Sequence, residues 1–132
     1  MITTLLIDAV KTLISSDAEY TYETRALNKE LADYLATRPE HIIVVTNAPS
    51  DKYKKIRELL SAYSFDTFTL SHKPAKTDPA YFDHLLEYYG RIGEECFYLD
   101  HKAENLAAAA ELGIQGELFT DNTQTIEILK AL

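Results

Sequence analysis

Cysteine and tryptophan are nearly missing from this chain of 132 residues, which has one of the first, Cys96, and none of the second. A single thiol excludes an internal disulfide and any zinc site built on several cysteines. It sits in the apolar run Cys96-Phe97-Tyr98-Leu99, whereas a reactive thiolate needs a polar, accessible setting, so Cys96 is read as a buried strand residue. Basic residues are also scarce, 13 Lys and Arg against 21 Asp and Glu, for a formal charge of −8. That balance repels a phosphate backbone and argues against nucleic acid as a general partner. The one basic cluster, Lys52, Lys54, Lys55 and Arg57, has the spacing of a solvated helix face. No apolar run approaches the roughly 18 to 20 residues of a membrane span, and the first residues lack the basic-then-apolar layout of a secretory signal. The expectation is a soluble, cytoplasmic protein with no membrane partner.

What the chain does have is a 46% apolar content, enough for one core but too short a chain for two ordinary domains, so residues 1–132 are expected to form a single domain. Three short apolar runs, residues 4–7, 41–45 and 96–99, are each closed by a polar residue, Asp8, Thr46 and Asp100, and read as buried strands. Residues 65–70 and 115–119 complete a set of five. The first of these alternates with Asp66, Thr67 and Thr69, as an edge strand does.

Between the strands lie segments of helical period: residues 22–37 with Leu27, Leu31, Tyr34 and Leu35 on one face, and 51–63 with Tyr53, Ile56, Leu59 and Leu60. Asp78-Pro79 starts a helix over 80–89 that Gly90 ends. An alanine-rich helix over 103–112 closes at Gly113, and residues 122–132 form the last. Strict alternation with short connections predicts an α/β fold, a doubly wound, five-stranded parallel sheet with helices on both faces. The least regular part is 9–21, which contains Ser15, Ser16 and Asp17.

In open α/β sheets, ligands bind beyond the carboxyl ends of the strands where strand order reverses. If the first and fourth strands are neighbours there, Asp8 and Asp100 face one another, and a bound cation relieves their repulsion. Oxygen ligands with open positions suit Mg²⁺. One aspartate or threonine at a strand end is more often a turn or cap residue; three together favour a site.

Four motifs bear on that site. The first is Leu5-Leu6-Ile7-Asp8-Ala9-Val10-Lys11-Thr12, the second Ile42-Ile43-Val44-Val45-Thr46-Asn47, and the third Lys76-Thr77-Asp78-Pro79-Ala80-Tyr81-Phe82. The fourth runs from Phe97-Tyr98-Leu99-Asp100-His101-Lys102 through Asn105 to Leu112-Gly113-Ile114. In type, order and spacing they resemble the haloacid dehalogenase-like hydrolases, over residues 2–129.

The resemblance implies a chemistry. Asp8 would be the nucleophile, passing through an aspartyl-phosphate that water hydrolyses. Asp8, Asp100 and the backbone carbonyl of Val10 would hold Mg²⁺. Thr46 would hydrogen-bond the phosphoryl group and Lys76 would neutralise it. Thr12, Asn47, Lys73 and His101 are the expected substrate contacts. Lys73 rivals Lys76, because Lys73-Pro74 also looks like the family's lysine-proline pair; Lys76 is preferred because Asp78-Pro79-Ala80-Tyr81-Phe82 fixes the downstream register.

The sequence departs from the family pattern, Asp-x-Asp-Gly-Thr, at two places. Val10 replaces the aspartate that protonates the leaving group in the phosphatase branch, a service worth roughly 10²- to 10⁴-fold, and Lys11 replaces the glycine. Phosphonate cleavers, transport ATPases and the dehalogenases put other residues at the position of Val10, so an altered activity is compatible with it. His101 stands where the family often has a second acid; it is a substitute base, a hydrogen-bond donor or, as preferred, a passive residue at the rim. His41, His72 and His84 show no ligand spacing and read as ordinary surface or strand-edge residues.

Only residues 13–45, 33 in all, separate Thr12 from Thr46, which leaves no room for a cap domain. A capless site suits a large or macromolecular phosphorylated substrate. Tyr20 and Tyr22 could touch such a partner, although tyrosines so placed more often pack. The leading reading is a Mg²⁺-dependent phosphoester hydrolase of weak or altered activity; the alternative is a catalytically silent protein that binds a partner or phosphorylated ligand. A receiver-type signalling domain would need an aspartate at the end of the third strand, and none is there.

Overall fold

The computed structural model describes residues 1–14 and 26–132. In chain order they form β1 (Thr4–Asp8), α1 (Lys29–Ala36), β2 (His41–Thr46), α2 (Ser50–Leu59), β3 (Asp66–Thr69), α3 (Pro79–Tyr89), β4 (Cys96–Asp100), α4 (Ala103–Ala110), β5 (Gln115–Leu118) and α5 (Asn122–Lys130). All strand pairs are parallel and the order is β3-β2-β1-β4-β5, with β3 at an edge as its alternating sequence predicts.

Central strands are apolar between their ends because both faces are covered. Leu5 and Ile7 of β1 pack with Leu31 and Leu35 of α1, Ile56 of α2 and Leu129 of α5. The intervening Leu6, with Ile43, Val45 and Tyr98, packs on the other face against Tyr81, Phe82 and Leu85 of α3 and Ala108 and Ala109 of α4. This is the doubly wound α/β arrangement. Strand order reverses between β1 and β4, whose register pairs Ile7 with Leu99. The next residues, Asp8 and Asp100, therefore finish side by side at the mouth of the reversal.

Local chemistry sets the helix ends. α3 is capped by Asp78, whose Oδ1 accepts the Ala80 N–H at 2.9 Å, and ends at Gly90 with φ +65°. The first helix starts at Lys29 and not at residue 22: Asn28 is its N-cap, accepting the Leu31 N–H at 3.4 Å, and Leu27 forms a bridge with Ile14. Asn28 is held there by a reciprocal pair of amide bonds with Asn122, 2.7 and 2.8 Å. A side-chain cap outcompetes helical spacing that Leu27 satisfies on paper. Residues 22–25 of the expected helix, with Ser15, Ser16, Asp17, Tyr20 and Tyr22, lie outside the described residues. α2 stops at Leu59, four residues short of expectation, and the other element ends agree to within two residues.

Gly93, just before β4, makes the closest backbone approach: a Cβ there would lie 1.8 Å from the Leu112 carbonyl oxygen. Gly93→Ala must separate the two segments and is expected to destabilise by about 1–3 kcal/mol or more. A thermal melt should show a Tm lower by several degrees; an unchanged Tm would contradict this packing. Among the described residues, no helix is long and apolar enough to cross a membrane.

Candidate active site

The end of β1 supplies Asp8 and the end of β4 supplies Asp100, both buried. Two carboxylates side by side in the interior repel, and the third motif answers with Lys76, itself only 4% exposed. Its Nζ lies 2.5 Å from Asp8 Oδ1 and 3.2 Å from Asp100 Oδ2. The Lys76 turn is anchored by Asn47, whose Oδ1 accepts the Lys76 N–H at 2.8 Å. Lys73, the rival lysine, is exposed and does not border the cleft described below.

Burial by itself would lower the Lys76 ammonium and raise the Asp100 carboxyl. The charges of Asp8 and Asp100 outweigh it and hold Lys76 above the ordinary lysine range. Lys76, the Tyr98 hydroxyl, the Lys102 N–H and Asn105 outweigh it in turn and hold Asp100 below the ordinary carboxyl range. The stability from Asp100 is thus present above its unfolded pKa of about 3.9 and lost as pH falls through the lower folded value; that from Lys76 is present below about 10.4 and lost as pH rises through the higher one. Around neutrality both contributions are complete.

Lys76→Met would leave two buried carboxylates without their cation. Removing one partner of a buried pair costs about 3–5 kcal/mol, and denaturant unfolding in the presence of a chelator should register a loss of that size. Adding Asp8→Asn to Lys76→Met removes one of the stranded charges and should restore part of the loss. If the double variant is no more stable than the single, the pairing argument fails.

The remaining carboxylate oxygens are also engaged. Asp8 Oδ2 accepts from the Thr12 hydroxyl at 2.9 Å and lies 2.7 Å from His101 Nδ1. The same His101 nitrogen lies 3.4 Å from Asp100 Oδ1. The His101 ring, expected at the rim of the site, borders the cleft and sits against both acids. Asp100 Oδ1 accepts the Lys102 N–H at 2.9 Å in the turn leading into α4. Its Oδ2 accepts from Asn105 Nδ2 at 3.0 Å and from the Tyr98 hydroxyl.

Thr46 is held by its main chain. The Tyr81 hydroxyl accepts the Thr46 N–H at 3.1 Å and lies 2.9 and 3.1 Å from the Thr46 and Phe68 carbonyl oxygens. Thr46 Oγ1 accepts the Ala48 N–H at 3.1 Å, so the hydroxyl proton can point toward a ligand. Thr12 and Asn47 were expected to meet substrate; the bonds they make here are to Asp8 and to the Lys76 main chain.

Beside Asp8, Thr46, Lys76, His101 and Asn105, with Asp100 buried behind them, opens a cleft of about 260 Å³, also bordered by Val10, Lys11, Lys52, His72 and Lys102. His72, read from sequence as an ordinary surface residue, is exposed yet lies on this border. Size alone does not single the cleft out: a hollow of about 700 Å³ beside β3 is lined by Tyr53, Tyr63, Tyr88 and Tyr89, and none of Asp8, Lys76 or Asp100 borders it. Val10 packs against the core formed by Ile7 and its neighbours and pairs with Ile14 in an isolated bridge. Lys11, in the family's glycine position, has φ +73°. A side chain there costs about 1 kcal/mol relative to glycine, so Lys11→Gly is expected to raise unfolding stability by about that much in a denaturant titration; a fall of similar size would show that the Lys11 side chain makes compensating contacts.

Cys96 is buried as expected; burial pushes its thiol up to about 11. Sequence reasoning missed Tyr98 and Tyr81 as supports of the site. Tyr98 stands two residues before Asp100 on one strand, a spacing that puts both side chains on one face, and that signal was there to be used. Tyr81 lies on an apolar helix face and gave none.

A divalent cation fits this donor set. Asp8, Asp100 and His101 offer ligand atoms that all lie within 4.8 Å of one another, and Asn105 Oδ1 nearby is buried without a hydrogen-bond partner.

No protein-family model matches the chain. Among solved structures, a HAD family enzyme from Bacteroides thetaiotaomicron is similar over 97% of this chain and 98% of its own, with TM-score 0.80 and 16% identity. The same wild-type enzyme in complex with magnesium and inorganic phosphate gives 0.75 and 17%, over 91% and 95%. A HAD-superfamily hydrolase, subfamily IA, from Geobacter sulfurreducens matches the whole of both chains at 0.73 and 15%. Among curated proteins, a sesquiterpene phosphatase of Aspergillus oryzae is 28% identical over 96 residues, 69% of this chain and 48% of that protein. The chain thus spans about half the length of that relative.

Proposed function

This chain has the fold of the haloacid dehalogenase-like hydrolases, and from that premise we propose that it is a cytoplasmic, single-domain, Mg²⁺-dependent hydrolase of phosphate esters, slowed on poor leaving groups by Val10. The observation that carries the reading is the convergence of Asp8, Lys76 and Asp100 at the strand-order reversal, with Lys76 Nζ 2.5 and 3.2 Å from the two acids. The Bacteroides thetaiotaomicron enzyme of the same fold, crystallised with magnesium and inorganic phosphate, and the fungal phosphatase lend support.

Asp8, Asp100 and the Val10 carbonyl would hold Mg²⁺, which when bound offsets the negative charge that gathers as a phosphoryl group meets two carboxylates. Asp8 forms a bond to phosphorus as the bond to the leaving oxygen breaks; that oxygen takes its proton from solvent, since Val10 has none to give. Lys76 neutralises the phosphoryl group and orients Asp8, and Thr46 donates its hydroxyl proton to a phosphoryl oxygen. Water then attacks phosphorus, releasing phosphate and regenerating Asp8. Lys11, Lys52 and Lys102 on the border of the cleft give a chain of charge −8 a locally cationic mouth suited to an anionic substrate. Residues 47–75 contribute only α2, β3 and their connections, which suits an open, capless site and a large or macromolecular substrate.

A second reading, a silent protein that binds a partner or phosphorylated ligand, is favoured by one observation: on the border of the cleft, where a proton donor would stand, Val10 packs against the core. Hydrolysis of an aryl phosphate decides between them. The enzyme reading expects phosphate release with Mg²⁺ and none after chelation; a folded protein inert to aryl and alkyl phosphates with Mg²⁺ would hand the case to the silent reading.

A further inference from the structure

The acids that would hold the cation have an imidazole between them, and we infer that His101 is a third metal ligand, which shifts the preference of the cleft from Mg²⁺ toward Mn²⁺ and Co²⁺. The inference rests on the hydrolase reading only for the presence of a cation. Lys76 and His101 approach the two carboxylates from different sides. Lys76 takes Asp8 Oδ1 and Asp100 Oδ2; His101 Nδ1 faces the other two, Asp8 Oδ2 at 2.7 Å and Asp100 Oδ1 at 3.4 Å. Asp8 Oδ2, Asp100 Oδ1 and His101 Nδ1 would therefore hold an ion without displacing the lysine.

The two separations measured from the ring nitrogen have the size that shared ligation demands. Two ligands about 2.1 Å from a metal and at right angles to one another lie about 3.0 Å apart, and 2.7 and 3.4 Å bracket that length. Small shifts of one ring, 22% exposed at its side chain, would even them out. Held by these three residues, an ion would remain open to water or a phosphoryl oxygen entering by the cleft. Mg²⁺ takes oxygen almost exclusively, whereas imidazole suits later divalent metals. A histidine where the family often has a second acid thus changes the donor set from all oxygen to mixed nitrogen and oxygen.

The test needs no turnover. Metal-free protein at one fixed pH is titrated with Mn²⁺ and separately with Mg²⁺, and the Mn²⁺ form is examined by pulsed electron spin resonance for coupling to ¹⁴N. Wild type should show nitrogen coupling, and His101→Ala and His101→Asp should lack it. The ratio of Mn²⁺ to Mg²⁺ affinity should fall roughly 10- to 100-fold in His101→Asp, the range by which groups around metal ligands tune binding. Mn²⁺ bound by wild type without nitrogen coupling, coupling that survives in both variants, or an unchanged affinity ratio would each overturn the assignment while leaving the hydrolase reading intact. Failure of wild type to bind either ion would sink both. The wild-type spectrum is decisive even if a variant does not fold.

Discussion

Asp8→Asn is expected to lower the turnover of any phosphate monoester by roughly 10⁴-fold or more, the scale on which loss of a covalent nucleophile is felt. The amide keeps the shape of the carboxylate but has no electron pair basic enough to displace an alkoxide or phenoxide from phosphorus. The fold should survive the change, because Lys76 keeps Asp100 as an ionic partner at 3.2 Å and a lone carboxylate beside one ammonium is better balanced than two. Circular dichroism and a thermal melt check that, and steady-state phosphate release with Mg²⁺ measures the effect. Acid quenching during turnover should trap phosphate on the wild-type chain and none on the variant. Equal turnover by wild type and Asp8→Asn would remove Asp8 from the chemistry and with it the covalent mechanism.

The parts of this site that could be read in the sequence are those that strand ends carry. Asp8, Thr46 and Asp100 each follow a run of apolar residues, so a parallel sheet puts all three at one edge whatever the details of packing. Lys76 was preferred over Lys73 from the register of the helix that follows, and only Lys76 of the two reaches the acids. Distances across the cleft could not be read. Nothing in the order Asp100-His101 says whether the second side chain turns inward, and it does so because Asp100 caps the turn into α4, which leaves the next ring beside Asp8. The start of α1 was missed for a related reason: Asn28 finds Asn122, 94 residues away, and a partner so remote has no local signature. The cationic border was hidden too, since Lys11, Lys52 and Lys102 come from three separate loops or helix ends in a chain whose total charge points the other way.

Val10→Asp is the change expected to raise activity, and its size should depend on the leaving group. A proton donor at this position is worth roughly 10²- to 10⁴-fold where the departing oxygen is strongly basic, so an alkyl phosphate should gain most and a nitrophenyl phosphate, whose phenoxide leaves unaided, only a small part of that. Val10 borders the cleft two residues after Asp8, within the reach of a carboxylate to the mouth. Against the gain stands the loss of apolar packing with the core under β1 and the addition of a third acid near Asp8 and Asp100, of which Lys76 and a bound cation must offset more. The variant is therefore expected to melt lower than wild type while turning over faster, and Lys11→Gly added to it should recover about 1 kcal/mol by relieving the left-handed lysine. The informative measurement is the ratio of kcat on alkyl and aryl phosphates. Wild type should favour aryl steeply and Val10→Asp should flatten the preference. If both substrates gain equally, the new carboxylate is acting on binding or on metal affinity and not on the leaving group; if neither gains, the slowness of the site lies somewhere other than position 10.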